Sequence, residues 1–170
     1  MSKIPFICLF FLVLFSANTF SQEARMPAYP FELKDTLGYA HRLGDFKGKT
    51  IVMDFWFTGC KGCVQVARML REQVKPAFEG DTSVVFIAVS LDINFLQWKR
   101  SIRTGIYTSE GQLNLFTNGM GAGHPIYPYY GFSGAPQMLV IDGEGFVVSR
   151  QVMLNAPEII RLIKGISNNK

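Results

Sequence analysis

Thr50-Ile51-Val52-Met53-Asp54-Phe55-Trp56-Phe57-Thr58-Gly59-Cys60-Lys61-Gly62-Cys63 runs from an apolar strand pattern, through a tight turn, into two thiols that open a helical pattern. Residues 50–57 are apolar on both faces except at Asp54, which predicts a strand in the middle of a sheet. Cys60 then falls at a helix start, where the positive end of the dipole and free backbone N–H groups stabilise a thiolate. Cys63 lies one helical turn on and can reach the first sulfur, so the pair can cycle between dithiol and disulfide with little backbone movement. Two plainer readings compete. A structural bridge over so short a loop removes little chain entropy. A structural zinc site needs four ligands, and beyond this pair the chain offers only Cys8, His41 and His124. The strand-turn-helix setting points to redox chemistry.

The chain has 170 residues, 48% of them hydrophobic, which suits one domain with a real core. Lys3, the apolar run 4–15 and the small and polar residues 16–21 read as an export signal. Cleavage is expected after Ser21, with Ala24 as an alternative and an uncleaved membrane anchor as the competing reading. No cysteine follows the apolar run, which argues against a lipoprotein anchor, and Cys8 would leave with the signal. An exported protein whose remaining thiols are one Cys-x-x-Cys pair uses them for chemistry rather than for stapling. Lysines and arginines are scattered, and Lys99, Arg100 and Arg103 share one solvated helical face. Without a basic stripe interleaved with aromatics, nucleic acid is not an expected partner.

The organisation expected is a signal over 1–21, a short tether over 22–30 with Pro27 and Pro30, and one domain over 31–170. Phe31–Lys34 and Tyr39–Leu43 predict a β-hairpin around Asp35–Gly38. Helical periodicity covers about 62–78, with Pro76 bending or ending it. Residues 83–91 predict a second central strand, Phe95, Trp98 and Ile102 a shorter helix, and 113–116 a short strand. Gly119 to Tyr130 reads as part loop, part helix. Gln137–Asp142 is a third core strand that turns through Gly143–Gly145 into 146–149, and 156–166 is a terminal amphipathic helix. The mixture implies a central sheet of parallel and antiparallel strands with helices on both faces.

Asp54 sharpens the thiol reading. A buried carboxylate without partners is costly and its pKa rises, which suits a proton acceptor for the second thiol. The alternative is a carboxylate that caps or hydrogen-bonds a neighbouring loop. Pro136 stands immediately before the third core strand, where a cis peptide would turn the backbone towards the cysteines; an ordinary trans proline is the alternative. Trp56 either shields the sulfurs or is plain core.

Asp54–Cys63 resembles the active-site segment of thioredoxin-fold oxidoreductases, and Gly131–Gly145 resembles their cis-proline loop and the hairpin after it. The export signal, the N-terminal hairpin and the long insert between the second and third core strands are similar to the TlpA/ResA-like periplasmic branch. The resemblance covers about residues 29–167. It implies an α/β, thioredoxin-like fold with an N-terminal β-hairpin extension. It further implies Cys60 as the exposed attacking thiolate, Cys63 as the resolving thiol and Asp54 as the buried carboxylate. Ala135 and Pro136 would meet the substrate chain, with Trp56 and Lys61 beside them, and the Lys61 cation would favour the Cys60 thiolate. The implied partners are protein thiols or disulfides and a recharging partner, soluble or membrane-bound. No cofactor and no metal are expected, and a monomer is. The chain departs from many relatives at Gly62, where they carry proline, at Arg68, where proline is again frequent, and at Gly59, often tryptophan.

The resemblance makes the expected activity thiol–disulfide exchange through a mixed disulfide, in the reducing direction. One rival is a periplasmic copper or zinc carrier using Cys60, Cys63 and His124 as ligands. His124, in Gly119–Pro125, is otherwise expected as an exposed loop histidine. A second rival is a thiol peroxidase, whose usual threonine three residues before the reactive cysteine is absent, since Thr58 stands two before Cys60. Tyr127, Tyr129, Tyr130 and Phe132 are expected to pack, or in part to rim a peptide groove.

Overall fold

A computed structural model describes residues 25–150 and 155–168, so the expected signal at 1–21 lies outside the described residues. The apolar run opening at Thr50 forms β3 (Thr50–Trp56), buried at every position. It lies parallel to β4 (Val84–Ser90) and antiparallel to β6 (Gln137–Ile141). Around these three, β1 (Glu32–Lys34), β2 (Ala40–Arg42), β5 (Leu113–Phe116) and β7 (Val147–Ser149) complete a seven-stranded sheet in the order β2-β1-β5-β4-β3-β6-β7. The expected hairpin forms with Glu32 opposite Arg42, and it joins the same sheet through Lys34 opposite Phe116.

Alternation along β3 sends Ile51, Met53 and Phe55 to one face and Val52, Asp54 and Trp56 to the other. The first set meets Ile87, Val89, Leu139 and Ile141 in one core. Val52 meets Leu70, Val74, Ile159 and Ile163 in a second. Helix α1 (Lys61–Met69) and the terminal α4 (Ala156–Asn168) supply that second layer, while α2 (Phe95–Arg103) carries Trp98 to the end of the sheet bearing the cysteines. A side chain of this size contributes about 1.5–3 kcal/mol when fully buried, so these layers hold the site in place.

Three expectations gain detail. The helical stretch expected over 62–78 forms, but in three segments of different pitch: α1, a wider π-type turn over Leu70–Val74, and a 3₁₀ turn over Lys75–Phe78. Pro76 has no N–H to give the preceding turn, so α-helical bonding cannot run on through it. Helices lie on both faces as expected, but the one over Ile51 and Phe55 is the short α3 (Ile126–Tyr129), with Leu43, Phe46 and the N-terminal segment completing the cover. The described part of the expected tether is docked: Ala28 N–H donates to Gly145 O at 2.8 Å, Val147 N–H donates to Met26 O, and Arg25 pairs with Asp142 and Glu144.

Candidate active site

The strand β3 ends at Trp56, and Phe57–Gly59 turn the chain into α1. Gly59 adopts φ +97°, a backbone conformation that strains any L side chain. The turn is held from two sides. The Asp92 carboxylate accepts from Thr58 N–H at 2.9 Å, from the Thr58 hydroxyl at 2.8 Å and from the Ser90 hydroxyl at 3.1 Å. Gly59 N–H donates to the Tyr107 hydroxyl at 2.8 Å, and the Tyr107 ring stacks on Trp56 with centroids 4.8 Å apart.

This clamp delivers Cys60 to the N-cap of α1, where its sulfur accepts from Cys63 N–H at 3.1 Å. The two cysteines are disulfide-bonded with Cα atoms 5.3 Å apart. That N–H and the N-terminal end of the α1 dipole both face the Cys60 sulfur. Cys60 keeps 6% of its surface exposed and Cys63 3%. The thiol expected to be exposed is therefore largely covered in the disulfide form, where the pair belongs to a buried cluster with Trp56, Trp98, Tyr107 and Phe116. Trp56 is fully buried, so it backs the sulfurs and cannot meet a substrate chain directly. Lys61 is exposed beside them.

The Ala135–Pro136 peptide is cis. Gly134 O accepts from the Tyr127 hydroxyl at 2.5 Å and from Gln137 Nε2 at 2.7 Å, which fixes the loop before Pro136. Pro136 rests on the helix start: a β-carbon at Gly62 would lie 2.9 Å from Pro136 Cδ. The absence of a side chain at position 62 is thus a packing requirement.

Asp54 shares the face of Trp56, between that ring and Val52 under α1. It is 3% exposed. Burial pushes its carboxyl up to about 7, against the opposing pull of a hydrogen bond from Gln112 and of its own backbone amide. Gln112 Nε2 donates to Asp54 Oδ1 at 2.7 Å. The burial and raised pKa of Asp54 and the loop hydrogen bond expected as its alternative therefore occur together.

His124 is not exposed. It keeps 9% of its surface, its Nδ1 accepts from Ile126 N–H at 3.3 Å, and Tyr29 packs on it edge-on. Burial lowers its pKa. Tyr29 and Ile126 belong to the core on the opposite face from Trp56 and the cysteines, so Cys60, Cys63 and His124 are not brought together. Among the described residues, His, Cys, Asp and Glu form no group of three that could hold a metal ion. Tyr127 and Tyr130 are buried beside Phe55 and Phe132, the packing role expected of them.

Asp92, Tyr107 and Gln112 are not legible in the sequence as site residues. Asp92 directly follows an apolar strand, a position that can signal a carboxylate serving the strand's end. Nothing local marks Tyr107 or Gln112.

A Thioredoxin-like family model matches residues 48–147. Thiol-disulfide oxidoreductase ResA of Bacillus cereus (strain ATCC 10987 / NRS 248) is 29% identical over 134 residues, 76% of this chain and 72% of that protein. ResA of Geobacillus kaustophilus (strain HTA426) is 48% identical over a 33-residue stretch, 19% of each chain. A solved thiol:disulfide interchange protein from Bacteroides sp. superposes with a TM-score of 0.67 at 26% identity, over 85% of this chain and 90% of that one. The fold and the paired cysteines at the helix start are those of a thioredoxin-fold thiol–disulfide oxidoreductase. The chain belongs to the thioredoxin-like family.

Proposed function

We propose that this protein is an exported reductase of protein disulfides, working through a mixed disulfide. The observation that carries the reading is the Cys60 sulfur at the N-cap of α1, accepting Cys63 N–H, with Pro136 against the helix start. In the reduced protein the Cys60 thiolate attacks a substrate disulfide. A Cys60–substrate disulfide forms, and the first substrate sulfur leaves as thiolate and takes a proton from water. Cys63 then gives its proton to Asp54, and its thiolate attacks the Cys60 sulfur. The second substrate sulfur leaves, and two electrons have passed from the dithiol to the substrate. Ala135 and Pro136 form the edge against which the substrate backbone lies, and Lys61 favours the thiolate at Cys60. A separate dithiol partner, soluble or membrane-bound, returns the Cys60–Cys63 disulfide to the thiol form.

The reducing direction follows the TlpA/ResA-like branch that the chain resembles, and export rests on residues 1–21. The test is reduction of a disulfide-bonded model protein by the dithiol form, with Cys60→Ser as control. The expected result is stoichiometric reduction that Cys60→Ser abolishes. Equal reduction by the variant overturns the reading. Recovery of the unprocessed chain in the cytosolic fraction overturns export.

A further inference from the structure

We propose that Lys75, Ser109 and Gln112 form a hydrogen-bond relay of fixed polarity that presents one N–H donor to Asp54, making Gln112 a positioning residue for the second thiol's proton transfer. The relay joins three segments: the 3₁₀ turn after α1, the loop before β5, and the centre of β3. Lys75 Nζ donates to Ser109 Oγ at 2.9 Å and also to Glu110 O. Ser109 Oγ lies 3.3 Å from Gln112 Oε1, and Ser109 N–H donates to the same oxygen at 3.1 Å. Gln112 Nε2 then donates to Asp54 Oδ1 at 2.7 Å.

The polarity follows from what each group can do. An ammonium only donates, so the Ser109 oxygen accepts from Lys75 and its own hydrogen is free to turn to Gln112. A backbone N–H only donates, so the Gln112 atom facing Ser109 is its oxygen. That fixes the amide orientation, which heavy-atom positions alone leave open. The nitrogen must then face Asp54. An N–H donor stabilises a carboxylate over a carboxylic acid, because only the ionised group is purely an acceptor. Every dipole in the chain thus points its positive end at Asp54, and the last bond, Gln112 to Asp54, is buried, where a hydrogen bond is electrostatically stronger than in water.

The surroundings leave the relay as the main adjustable influence. On the strands beside Asp54, the residues in register are Ala88 of β4 and Met138 of β6, neither of them ionisable. Lys75 lies at the far end of the relay with Arg71 and Glu110 beside it, and Cys60 and Cys63, joined as a disulfide, do not titrate in the oxidised protein. Gln112 also lines an open cleft of about 400 Å³ with Arg71, Glu110 and Asn114. Its side chain thus touches both the buried carboxyl and that cleft.

The inference rests on Asp54 as proton acceptor, and the experiment separates the two. Carboxyl carbon NMR of the oxidised protein gives the Asp54 midpoint without reference to activity. Gln112→Met, Ser109→Ala and Lys75→Met should each raise that midpoint, Gln112→Met most, by about one pH unit. Lys75→Arg should restore it. A shift with Lys75→Met but none with Ser109→Ala means charge acting through space and overturns the relay. No shift with Gln112→Met overturns it as well. Raised midpoints with an unchanged pH profile of reductase turnover leave the relay standing and remove Asp54 from the proton transfer.

Discussion

Gly62 and Pro136 are in contact across the site, and a β-carbon added at Gly62 would stand 2.9 Å from the Pro136 ring. Position 62 lies in the first turn of α1 at an ordinary negative φ. Replacing glycine by alanine in a helix ordinarily stabilises by about 0.5–1 kcal/mol. Here the neighbour is a ring atom that cannot swing aside, and overpacking costs roughly 1–3 kcal/mol. The second effect is the larger one. Gly62→Ala is therefore expected to lower the denaturation midpoint of the oxidised protein and to slow disulfide reduction. A raised midpoint would show that the Pro136 loop yields freely.

Cys60 and Cys63 differ in position, one at the N-cap of α1 and one inside its first turn. Cys63→Ser should therefore accumulate a Cys60-linked mixed disulfide with a disulfide-bonded protein, visible on non-reducing gels. Cys60→Ser should accumulate none. Trapping by Cys60→Ser alone would reverse the two roles.

Local patterns carry much of the site. Cys60, Cys63 and Pro136 stand beside strand and helix boundaries that apolar periodicity marks, and Asp54 stands out as the acid inside the apolar run that becomes β3. Gln112 and Asp54 are 58 residues apart, and Thr58 and Asp92 are 34 apart. The first pairing depends on how the loop before β5 folds back and the second on the β3–β4 pairing that brings two strand ends together, and no spacing rule reveals either. The expectation for His124 fails because a Gly-rich surrounding suggests exposure, while the covering group, Tyr29, comes from the segment expected as a free tether. The sheet is more legible than its covering layers, since strand alternation is local and the partner of each face is not.

Asp92 is the main support of the turn that sets Cys60. Asp92→Ala would leave Thr58 N–H and the Ser90 hydroxyl without their acceptor, while the Thr58 hydroxyl keeps Ser101 Oγ at 2.7 Å. Each buried donor so stranded costs about 1–3 kcal/mol, less where water enters. Tyr107→Phe keeps the stack on Trp56 and removes only the acceptor for the exposed Gly59, so its cost should stay near ~1 kcal/mol. Both variants should slow reduction, Asp92→Ala more. Urea midpoints and turnover measured on the same samples check the order, and equal stability of the two variants would contradict it.

Asp54→Asn tests stability and mechanism together. Burial raises the folded-state carboxyl to about 7 from an ordinary value of 3.8. The folded state therefore holds a proton more tightly than the unfolded one. The resulting stability is fully present below pH 3.8 and is lost as pH rises towards 7. The full loss is at most on the order of 4 kcal/mol, taking about 1.4 kcal/mol per pH unit. The amide variant carries no such dependence, and its side-chain carbonyl can still accept from Gln112. The variant should match or fall below the wild type near pH 4 and exceed it at pH 8, with the crossover in the denaturation midpoints. Turnover should move the opposite way, because a neutral amide cannot take the Cys63 proton. Full reductase rate in the variant between about pH 6 and 8, the range set by a carboxyl near 7, would exclude the proton-acceptor role. A stability loss at pH 8 would instead make Asp54 a structural partner of Gln112 alone.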